Sequence, residues 1–303
     1  MVQISQKRKL IVILGPTASG KSDLAVEIAK QYNGEVISAD SRQVYKDLDI
    51  GTGKITEEEM QGIPHHLLDV ADPKERFDVT QYKKETTKVL EDIWNKNKTP
   101  ILCGGTGFYV DTVVYNKSFP NIPKNKELEK ELEGLSLEKL QEKLKHLDPN
   151  RYRSIDTQNP RRLIRAIEIA TALGYVPEIT ETKPHFETLM IGIQTDKELL
   201  NRKIYTRLLS RLKDGMIEEA QHLHDNGLSF ERMESLGLEY RYLARFLQNN
   251  ITKEEMTEQL NTEIKKYAKR QRTWFKRDKN IHWFNLEEKE KIQEKIKGFI
   301  QTN

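Results

Sequence analysis

Short apolar runs alternate with helical patterns over the first third of the chain. Leu10–Leu14 is an uninterrupted apolar run that ends at a glycine, and such a run predicts a buried β-strand. Glu35–Ala39 and Pro100–Gly104 have the same character, and helical patterns cover about 20–32 and 79–97. Strands that alternate with helices are typical of a parallel sheet. The pattern therefore predicts an α/β core in which helices flank a parallel sheet.

The pattern changes near residue 116. Residues 117–186 contain six prolines among charged segments with a helical pattern, and no strand pattern is found there. Leu189–Ile193 then has the character of a strand that returns to the sheet, and the chain is mostly helical and rich in charge from about 197 to 303. We therefore predict three segments. Residues 1–116 form the first part of the core, 117–186 form a helical insertion domain, and 187–303 form the return strand with the C-terminal helices.

Gly15-Pro-Thr-Ala-Ser-Gly-Lys-Ser22 matches the phosphate-binding motif G-x-x-x-x-G-K-[ST], and it lies between a strand and a helix as that motif requires. The backbone N–H groups of such a loop surround an anion, and the helix N-terminus adds a favourable potential. The residues predicted to bind a diphosphate are Gly15, Pro16, Thr17, Ala18, Ser19, Gly20, Lys21 and Ser22. Lys21 would contact the outer phosphate, and Ser22 would hold Mg²⁺. The motif makes the core P-loop NTPase-like, but it recognises phosphates and not bases, so a kinase, an NTPase and another diphosphate-using enzyme remain open.

Two polar segments follow the other strands at the edge where ligands bind. Asp40 comes directly after the second strand, and the carboxyl ends of parallel strands face the ligand crevice. Its carboxylate can serve as a general base, orient a water of Mg²⁺, or cap the next turn. Gly104–Tyr109 follows the next strand, where it offers either a second close approach to the ligand or an ordinary strand-to-helix turn. No acidic residue ends that strand, as a Walker B partner does in many NTPases.

Net charge gives no general argument for nucleic acid, because 50 basic residues nearly balance 47 acidic ones. The argument depends on local clusters. On a helical wheel, one side of segment 264–277 carries seven cations and the other side is apolar. The cations are Lys265, Lys266, Lys269, Arg270, Arg272, Lys276 and Arg277, and the apolar residues are Ile264, Tyr267, Ala268, Trp274 and Phe275. The basic side predicts a contact with a phosphate backbone, and the alternative is an ordinary solvated face.

Two further arginine groups also have two interpretations each. One group opens a helix after a good N-cap and a proline, and it comprises Asn159, Pro160, Arg161, Arg162 and Arg165. These arginines suit phosphates or a stacked base, or they form surface salt bridges. The other group comprises Arg202, Lys203, Arg207 and Arg211. Its last two members share a helix face, and they either close over a diphosphate as a lid or form a salt-bridged surface.

Other features exclude several classes of protein. The single cysteine, Cys103, excludes an internal disulfide and a cysteine-based zinc site. No stretch approaches the roughly 20 apolar residues of a membrane helix. The start, Met1–Lys9, is polar and basic, and the apolar run after it is too short for the core of a signal peptide. We therefore expect a cytoplasmic protein without a membrane segment, and we expect it to act as a monomer.

Six segments, in order along nearly the whole chain, resemble the signatures of the tRNA dimethylallyltransferases, also called tRNA isopentenyltransferases. They are Gly15–Ser22, Asp40–Lys46 with Asp49–Lys54, Pro64–Asp69, Gly104–Tyr109, Asn159–Leu163, and Ala268–Gln271 with Thr273–Trp274. The phosphate loop alone is unspecific, whereas the ordered series is highly specific. The resemblance implies transfer of a dimethylallyl group from dimethylallyl diphosphate to the exocyclic N6 amine of the adenosine just 3′ of the anticodon in tRNA, with release of pyrophosphate.

The resemblance also implies roles for individual residues. Asp40 would be the general base, with Thr106 in the same catalytic group. Lys21 and Arg207 would neutralise the leaving pyrophosphate, with Mg²⁺ held in part by Ser22. The residues implied to contact tRNA are Asp40, Ser41, Arg42, Gln43, Thr106, Asn159, Pro160, Arg161, Arg162 and Leu163, and the basic helix adds Lys269, Arg270 and Arg272. The target base must leave its stack to reach this crevice.

One segment departs from the family pattern, and two other functions remain open. The family usually reads Ile-Gly-Tyr-(Arg/Lys)-Glu where this chain reads Leu236-Gly-Leu-Glu-Tyr-Arg241, so no RNA contact is carried over to this segment. A small-molecule or nucleotide kinase would use the insertion as a lid, but it would have no need of seven cations on one C-terminal helix. A nucleic-acid-binding module with a vestigial loop would bind RNA without turnover.

Overall fold

A computed structural model describes residues 8–120, 122–123 and 125–302, so the basic start of the chain at residues 1–7 lies outside the described residues. The strands form one sheet in which all neighbours are parallel. They are β1 (Arg8–Leu14), β2 (Gly34–Ser38), β3 (His65–His66), β4 (Thr99–Gly104), β5 (Phe186–Gln194) and β6 (Ile281–Asn285). Their order across the sheet is β3-β2-β4-β1-β5-β6. The predicted parallel α/β core is confirmed, and the three strands that precede predicted site residues are neighbours in it.

Helices make up most of the remaining regular structure. In chain order they are α1 (Lys21–Gln31), α2 (Glu57–Met60), α3 (Val79–Asn95), α4 (Gly107–Val114), α5 (Lys126–Glu133), α6 (Leu137–Leu147), α7 (Pro149–Ser154), α8 (Pro160–Leu173), α9 (Lys197–Lys213), α10 (Met216–Asp225), α11 (Phe230–Leu236), α12 (Leu238–Leu247), α13 (Lys253–Phe275) and α14 (Lys289–Gln301). Among the described residues, no helix has the length and apolar character needed to cross a membrane. The chain divides into two compact units, unit 1 with residues 1–115 and 183–303, and unit 2 with residues 116–182.

Successive side chains of β1 point to opposite faces of the sheet, and different helices cover the two faces. Leu10, Val12 and Leu14 belong to an apolar cluster with residues of α3, α4 and α13. Ile11 and Ile13 belong to a second cluster with residues of α1 and α14. All five side chains are fully buried. Because both faces of the sheet are covered, its central strands are continuous apolar runs and not alternating ones.

The long helix α13 begins with a capping box. The Thr252 hydroxyl accepts the N–H of Glu255, and the Glu255 carboxylate accepts the N–H of Thr252. Toward its C-terminal end, Ile264, Ala268 and Phe275 are buried as the helical wheel predicts. This end of the helix therefore packs on the rest of unit 1 through its apolar side.

The two edge strands were not predicted. The expectation of a mostly helical chain from about 197 onward is confirmed, but it did not include β6, where only Ile281 is buried. A short edge strand with one buried residue has no apolar run that distinguishes its sequence from that of a helix. Strand β3 contains only His65 and His66, which pair with Val36 and Ile37 of β2. Two residues are too few for any periodic signal.

Unit 2 is a small helical body with its own core. Ser118 and Thr180 form an isolated antiparallel bridge near its two ends. Leu132 of α5, Leu144 of α6 and Leu163 of α8 are fully buried in one apolar cluster. Its boundaries at 116 and 182 differ from the predicted 117 and 186, because Phe186 already begins β5 and packs on Trp94 of unit 1 with ring centroids 5.3 Å apart.

Candidate functional site

The phosphate loop connects the end of β1 to the start of α1. Ala18 and Gly20 have left-handed backbone conformations, with φ of 62° and 84°, and such turns allow successive N–H groups to face one side. The Lys21 Nζ donates to the carbonyl of Pro16 at 3.3 Å, so the ammonium lies close to the loop. Burial lowers the pKa of Lys21 below the ordinary 10.5, although the charge of nearby Asp40 opposes this effect. An anion in the loop would compensate the buried ammonium.

The residues of the loop contribute in different ways. Thr17, Lys21 and Ser22 line a cavity. Ser19 is fully buried and does not line the cavity, so its side chain is not available to a ligand. The N–H of Thr17 already donates to Oε1 of Gln271 at 2.9 Å. The predicted diphosphate site thus offers three side chains, and not every backbone N–H of the loop is free.

The two carboxylate oxygens of Asp40 have different surroundings. Oδ1 accepts the N–H of Arg42 at 2.8 Å and that of Gln43 at 3.4 Å, so this oxygen caps the turn after β2. Among the described residues, none donates a hydrogen bond to Oδ2, and Asp40 lines the same cavity as Lys21 and Ser22. The turn-capping role and the role in the site are therefore compatible, because one oxygen fixes the carboxylate and the other remains available for a proton.

Thr106 supports the Asp40 segment from behind. Its Oγ1 accepts the N–H of Ser41 at 3.0 Å, and its own N–H donates to the carbonyl of Ala39 at 3.1 Å. Thr106 is not among the residues that line the cavity. The geometry therefore favours a positioning role over the direct contact that the family resemblance implies for this residue.

The cavity has a volume of about 340 Å³, and its wall combines charged and apolar parts. The basic residues are Lys21, Arg42, Arg207, Arg241 and Arg270, and the acidic residues are Asp40, Glu239 and Glu263. The apolar residues are Leu236, Leu238 and Ile264, with Tyr242 and Tyr267 beside them. An excess of basic groups next to an apolar wall suits an anionic ligand that also has an apolar part.

Two arginines of α9 meet at Gly53. The guanidinium groups of Arg207 and Arg211 occupy the space that a Cβ atom of Gly53 would need, and Gly53 has a φ of 59°. Desolvation, and then the charge of Arg211, lower the pKa of Arg207 to about 10, so Arg207 is still charged at neutral pH. Of the two arginines predicted here as a lid, Arg207 lines the cavity and Arg211 does not.

The basic side of α13 is not uniform. Arg270 lines the cavity, and its guanidinium lies 5.8 Å from the centre of the Tyr267 ring. Lys266 pairs with Glu263 at 2.6 Å. Lys269 is exposed. The helix thus contributes to the cavity at Arg270, while Lys269 belongs to the outer surface.

Gln271 connects two loops of the site. Its Oε1 accepts the N–H of Thr17, and its Nε2 donates to the carbonyl of Gly105 at 2.9 Å. A Cβ atom at Gly105 would overlap the Gln271 amide, and one at Gly107 would overlap the indole of Trp274. The close approach predicted at this glycine turn therefore occurs, but at these two glycines it is made to α13.

Known proteins resemble this chain over nearly all of its length. A family profile described as IPP transferase matches residues 43–278. The chain belongs to this family. The tRNA dimethylallyltransferase 2 of Shewanella sediminis is 45% identical over 278 residues, which cover 90% of this chain and 92% of the relative. The tRNA dimethylallyltransferase 2 of Treponema denticola is 43% identical over 291 residues, covering 93% and 97%.

Solved structures of similar proteins have the same fold. The full-length tRNA isopentenylpyrophosphate transferase of Bacillus halodurans is 37% identical with a TM-score of 0.73, and 96% of each chain is covered. A eukaryotic dimethylallyltransferase acting on tRNA is 28% identical with a TM-score of 0.79, covering 92% of this chain and 74% of that one. The parallel sheet is thus the fold of the IPP transferase family. The family profile begins at residue 43, and Asp40 and the phosphate loop lie before it. We therefore infer their roles from the geometry of the cavity.

The family resemblance also implies tRNA contacts in unit 2, where the residues have different environments. Asn159 caps α8 by accepting the N–H of Arg162 at 3.2 Å. Arg161 is exposed, and Arg162 forms a surface ion pair with Asp156 at 3.3 Å. Leu163 is fully buried in the core of unit 2. Its side chain therefore packs inside unit 2, and the RNA contact implied at this residue stays a prediction.

Sequence reasoning missed the contribution of Gln271 and an ion pair beside the cavity. Arg211 and Glu239 lie 3.3 Å apart, and each side chain is only 13% exposed. Burial raises the pKa of Glu239, and the charge of Arg211 partly opposes this rise. For the ion pair, the one available signal was the departure from the family pattern at 236–241, which contains Glu239. For Gln271, the signal was its place at the end of the family signature Ala268–Gln271.

Proposed function

We propose that the chain transfers a dimethylallyl group from dimethylallyl diphosphate to the N6 amine of the adenosine next to the anticodon in tRNA. The observation that carries this proposal is a single cavity in which a phosphate loop, a carboxylate and an apolar wall meet. These groups match a diphosphate, an amine that must lose a proton, and a short hydrocarbon chain. Membership of the IPP transferase family supports the same reaction.

In the proposed reaction, the bond between the allylic carbon and the diphosphate oxygen breaks, and a bond from adenine N6 to that carbon forms. An adenine amine is a weak nucleophile, so a base that takes its proton during bond formation accelerates the step. Oδ2 of Asp40 takes this proton, while the N–H groups at Oδ1 hold the carboxylate in place. Lys21 and Arg207 stabilise the negative charge on the departing pyrophosphate.

The residues at the phosphate loop fit a magnesium ion. Mg²⁺ prefers oxygen ligands, keeps several waters, and is commonly bound by one or two protein groups together with substrate phosphates. Ser22 supplies a hydroxyl that lines the cavity, and the described part of the chain has no cluster of three or more acidic, histidine or cysteine ligands. Ser22 would therefore hold the ion together with the diphosphate oxygens, and the ion would add positive charge at the leaving group.

The proposed tRNA contacts fall into two groups. Residues of the cavity wall would contact the adenosine once it has left its stack, and they are Ser41, Arg42 and Gln43. Residues outside the wall would contact phosphates, and they are Lys269 and Arg272 in unit 1 and Arg161 and Arg162 in unit 2. Arg270 lines the cavity and belongs to the first group by position.

Incubation with unmodified tRNA and dimethylallyl diphosphate, followed by nucleoside mass spectrometry, tests this function. We expect prenylated adenosine with this donor and no reaction with ATP. Lys21→Ala should lose about 10²-fold in transfer rate while tRNA binding stays near normal. Lys30→Ala, on the exposed side of the same helix, is the matched control. Phosphoryl transfer from ATP without prenylated adenosine would refute the proposal and favour a kinase.

A further inference from the structure

The ion pair of Arg211 and Glu239 lies beside the cavity but has no part in the proposed reaction. Glu239 belongs to the first turn of α12 and lines the cavity. Arg211 lies one turn after Arg207 on α9. Its Nη1 donates to Oε1 of Glu239 and to the carbonyl of Gly51, both at 3.3 Å. Two acceptors therefore hold this guanidinium.

A buried carboxylate is an unfavourable neighbour for a diphosphate, because it repels the anion. Its partner Arg211 would be a favourable one, since a guanidinium binds phosphate oxygens with strong, charge-assisted hydrogen bonds. The Arg211 guanidinium lies beside that of Arg207, because both occupy the space that a Cβ atom of Gly53 would need. Yet Arg211 is not among the residues that line the cavity, whereas Glu239 is. The arrangement keeps an available cation away from the place where it would bind phosphate best.

We propose that Glu239 is a specificity-determining positioning residue, which restrains Arg211 and so limits how tightly the cavity holds pyrophosphate. The proposal rests on the diphosphate site proposed above. Pyrophosphate carries more negative charge than the diphosphate ester from which it is released. Each additional free cation would therefore favour the product over the donor. With Arg211 restrained, the side-chain cations at the phosphates are Lys21 and Arg207. Glu239 lies in the segment that departs from the family pattern.

Calorimetry with inorganic pyrophosphate and Mg²⁺ tests the restraint. Glu239→Gln preserves the shape of the side chain and removes its charge. A released Arg211 adds a charge-assisted hydrogen bond to the phosphates, so the Kd for pyrophosphate should fall about tenfold. Product inhibition of transfer should strengthen in the same proportion. Arg211→Gln should bind pyrophosphate within about twofold of wild type, because this residue is withheld from the ligand.

The double variant Glu239→Gln with Arg211→Gln decides how the carboxylate acts. We expect it to lose the gain in affinity and return to the wild-type Kd. A gain that persists in the double variant would mean that the carboxylate acts by its own repulsion, and it would overturn the restraint of Arg211. Weaker binding by both single variants would indicate a merely structural ion pair and would also overturn the proposal.

Two further measurements keep the test decisive. If Glu239→Gln does not fold, Glu239→Asp retains the charge but shortens its reach, and it should give a smaller gain in pyrophosphate affinity. An unchanged Kd in a folded Glu239→Asp variant would then overturn the proposal. A wild-type chain that binds no pyrophosphate would refute the diphosphate site itself. A wild-type chain that binds pyrophosphate, together with variants that show no gain in affinity, would refute only the restraint of Arg211.

Discussion

Replacement of Gln271 by leucine should leave two loops of the site without their common support. Leucine has a similar size, but it cannot accept the N–H of Thr17 or donate to the carbonyl of Gly105. Both hydrogen bonds measure 2.9 Å. Gln271 is only 5% exposed, so water does not readily replace the lost amide. The substitution therefore leaves one donor, the N–H of Thr17, and one acceptor, the carbonyl of Gly105, without a hydrogen-bond partner.

The size of the effect follows from the burial of the two orphaned groups. An unpaired buried polar group costs about 1 to 3 kcal/mol. Thr17 is partly exposed, so its N–H regains some hydration and contributes near the lower limit. Gly105 is buried, so its carbonyl contributes near the upper limit. The free energy of unfolding should fall by about 4 kcal/mol, which is a large share of the stability of an ordinary domain.

Urea unfolding followed by circular dichroism measures this loss, and calorimetry with pyrophosphate measures its effect on the phosphate loop. We expect weaker pyrophosphate binding, because the loop loses the contact that fixes Thr17. Gln248→Leu is the matched control, since its amide donates only to the carbonyl of Ala244 in its own helix and its loss should cost about 1 kcal/mol. If Gln271→Leu unfolded at the same urea concentration as the control, the proposed support would contribute nothing.

Three other predictions concern the chemistry, the RNA and the pH dependence. Asp40→Asn should lose about 10² to 10⁴ in transfer rate with little change in the affinity for either substrate, and near-normal transfer at ordinary Mg²⁺ would exclude the general-base role. Replacing Lys269 and Arg272 with alanine should reduce the salt dependence of tRNA binding by roughly one unit of slope for each lost phosphate contact, whereas an unchanged slope would identify a merely solvated face. Lys21 binds phosphate as an ammonium and its pKa is lowered from 10.5, so pyrophosphate affinity should decrease as pH rises through this lowered value. Calorimetry at increasing pH measures that decrease, and Lys21→Gln should reduce it, leaving the part that Arg207 contributes near its own pKa of about 10.

The parts of the site that follow strands could be predicted from the sequence. A buried parallel strand is a continuous apolar run, and the polar residues after it lie at the ligand edge of the sheet. This reasoning places Lys21, Asp40 and Gly104 near one another without any structure, and all three line one cavity. The prediction succeeds because each inference depends on neighbours in the chain.

The contacts between distant elements could not be predicted in this way. Gln271 is the one buried amide in a helix end otherwise rich in cations, and no periodicity distinguishes it from an exposed glutamine. Arg211 and Glu239 are on different helices, and in the sequence each is a charged residue of the kind that usually lies on a solvated surface. Such pairs depend on tertiary packing, which sequence periodicity does not encode.

The hydrogen bond between Thr17 and Gln271 joins residues 254 positions apart. On the ribosome, the phosphate loop is therefore made long before the side chain that supports it. Strand β6 is made after α13, since it begins at Ile281, so a chain that stops before it leaves the edge of β5 open to other polypeptides. A ribosome that stalls before α13 would release a chain that holds the phosphate loop but not its support, and whose open strand edge exposes it to aggregation and quality-control proteases.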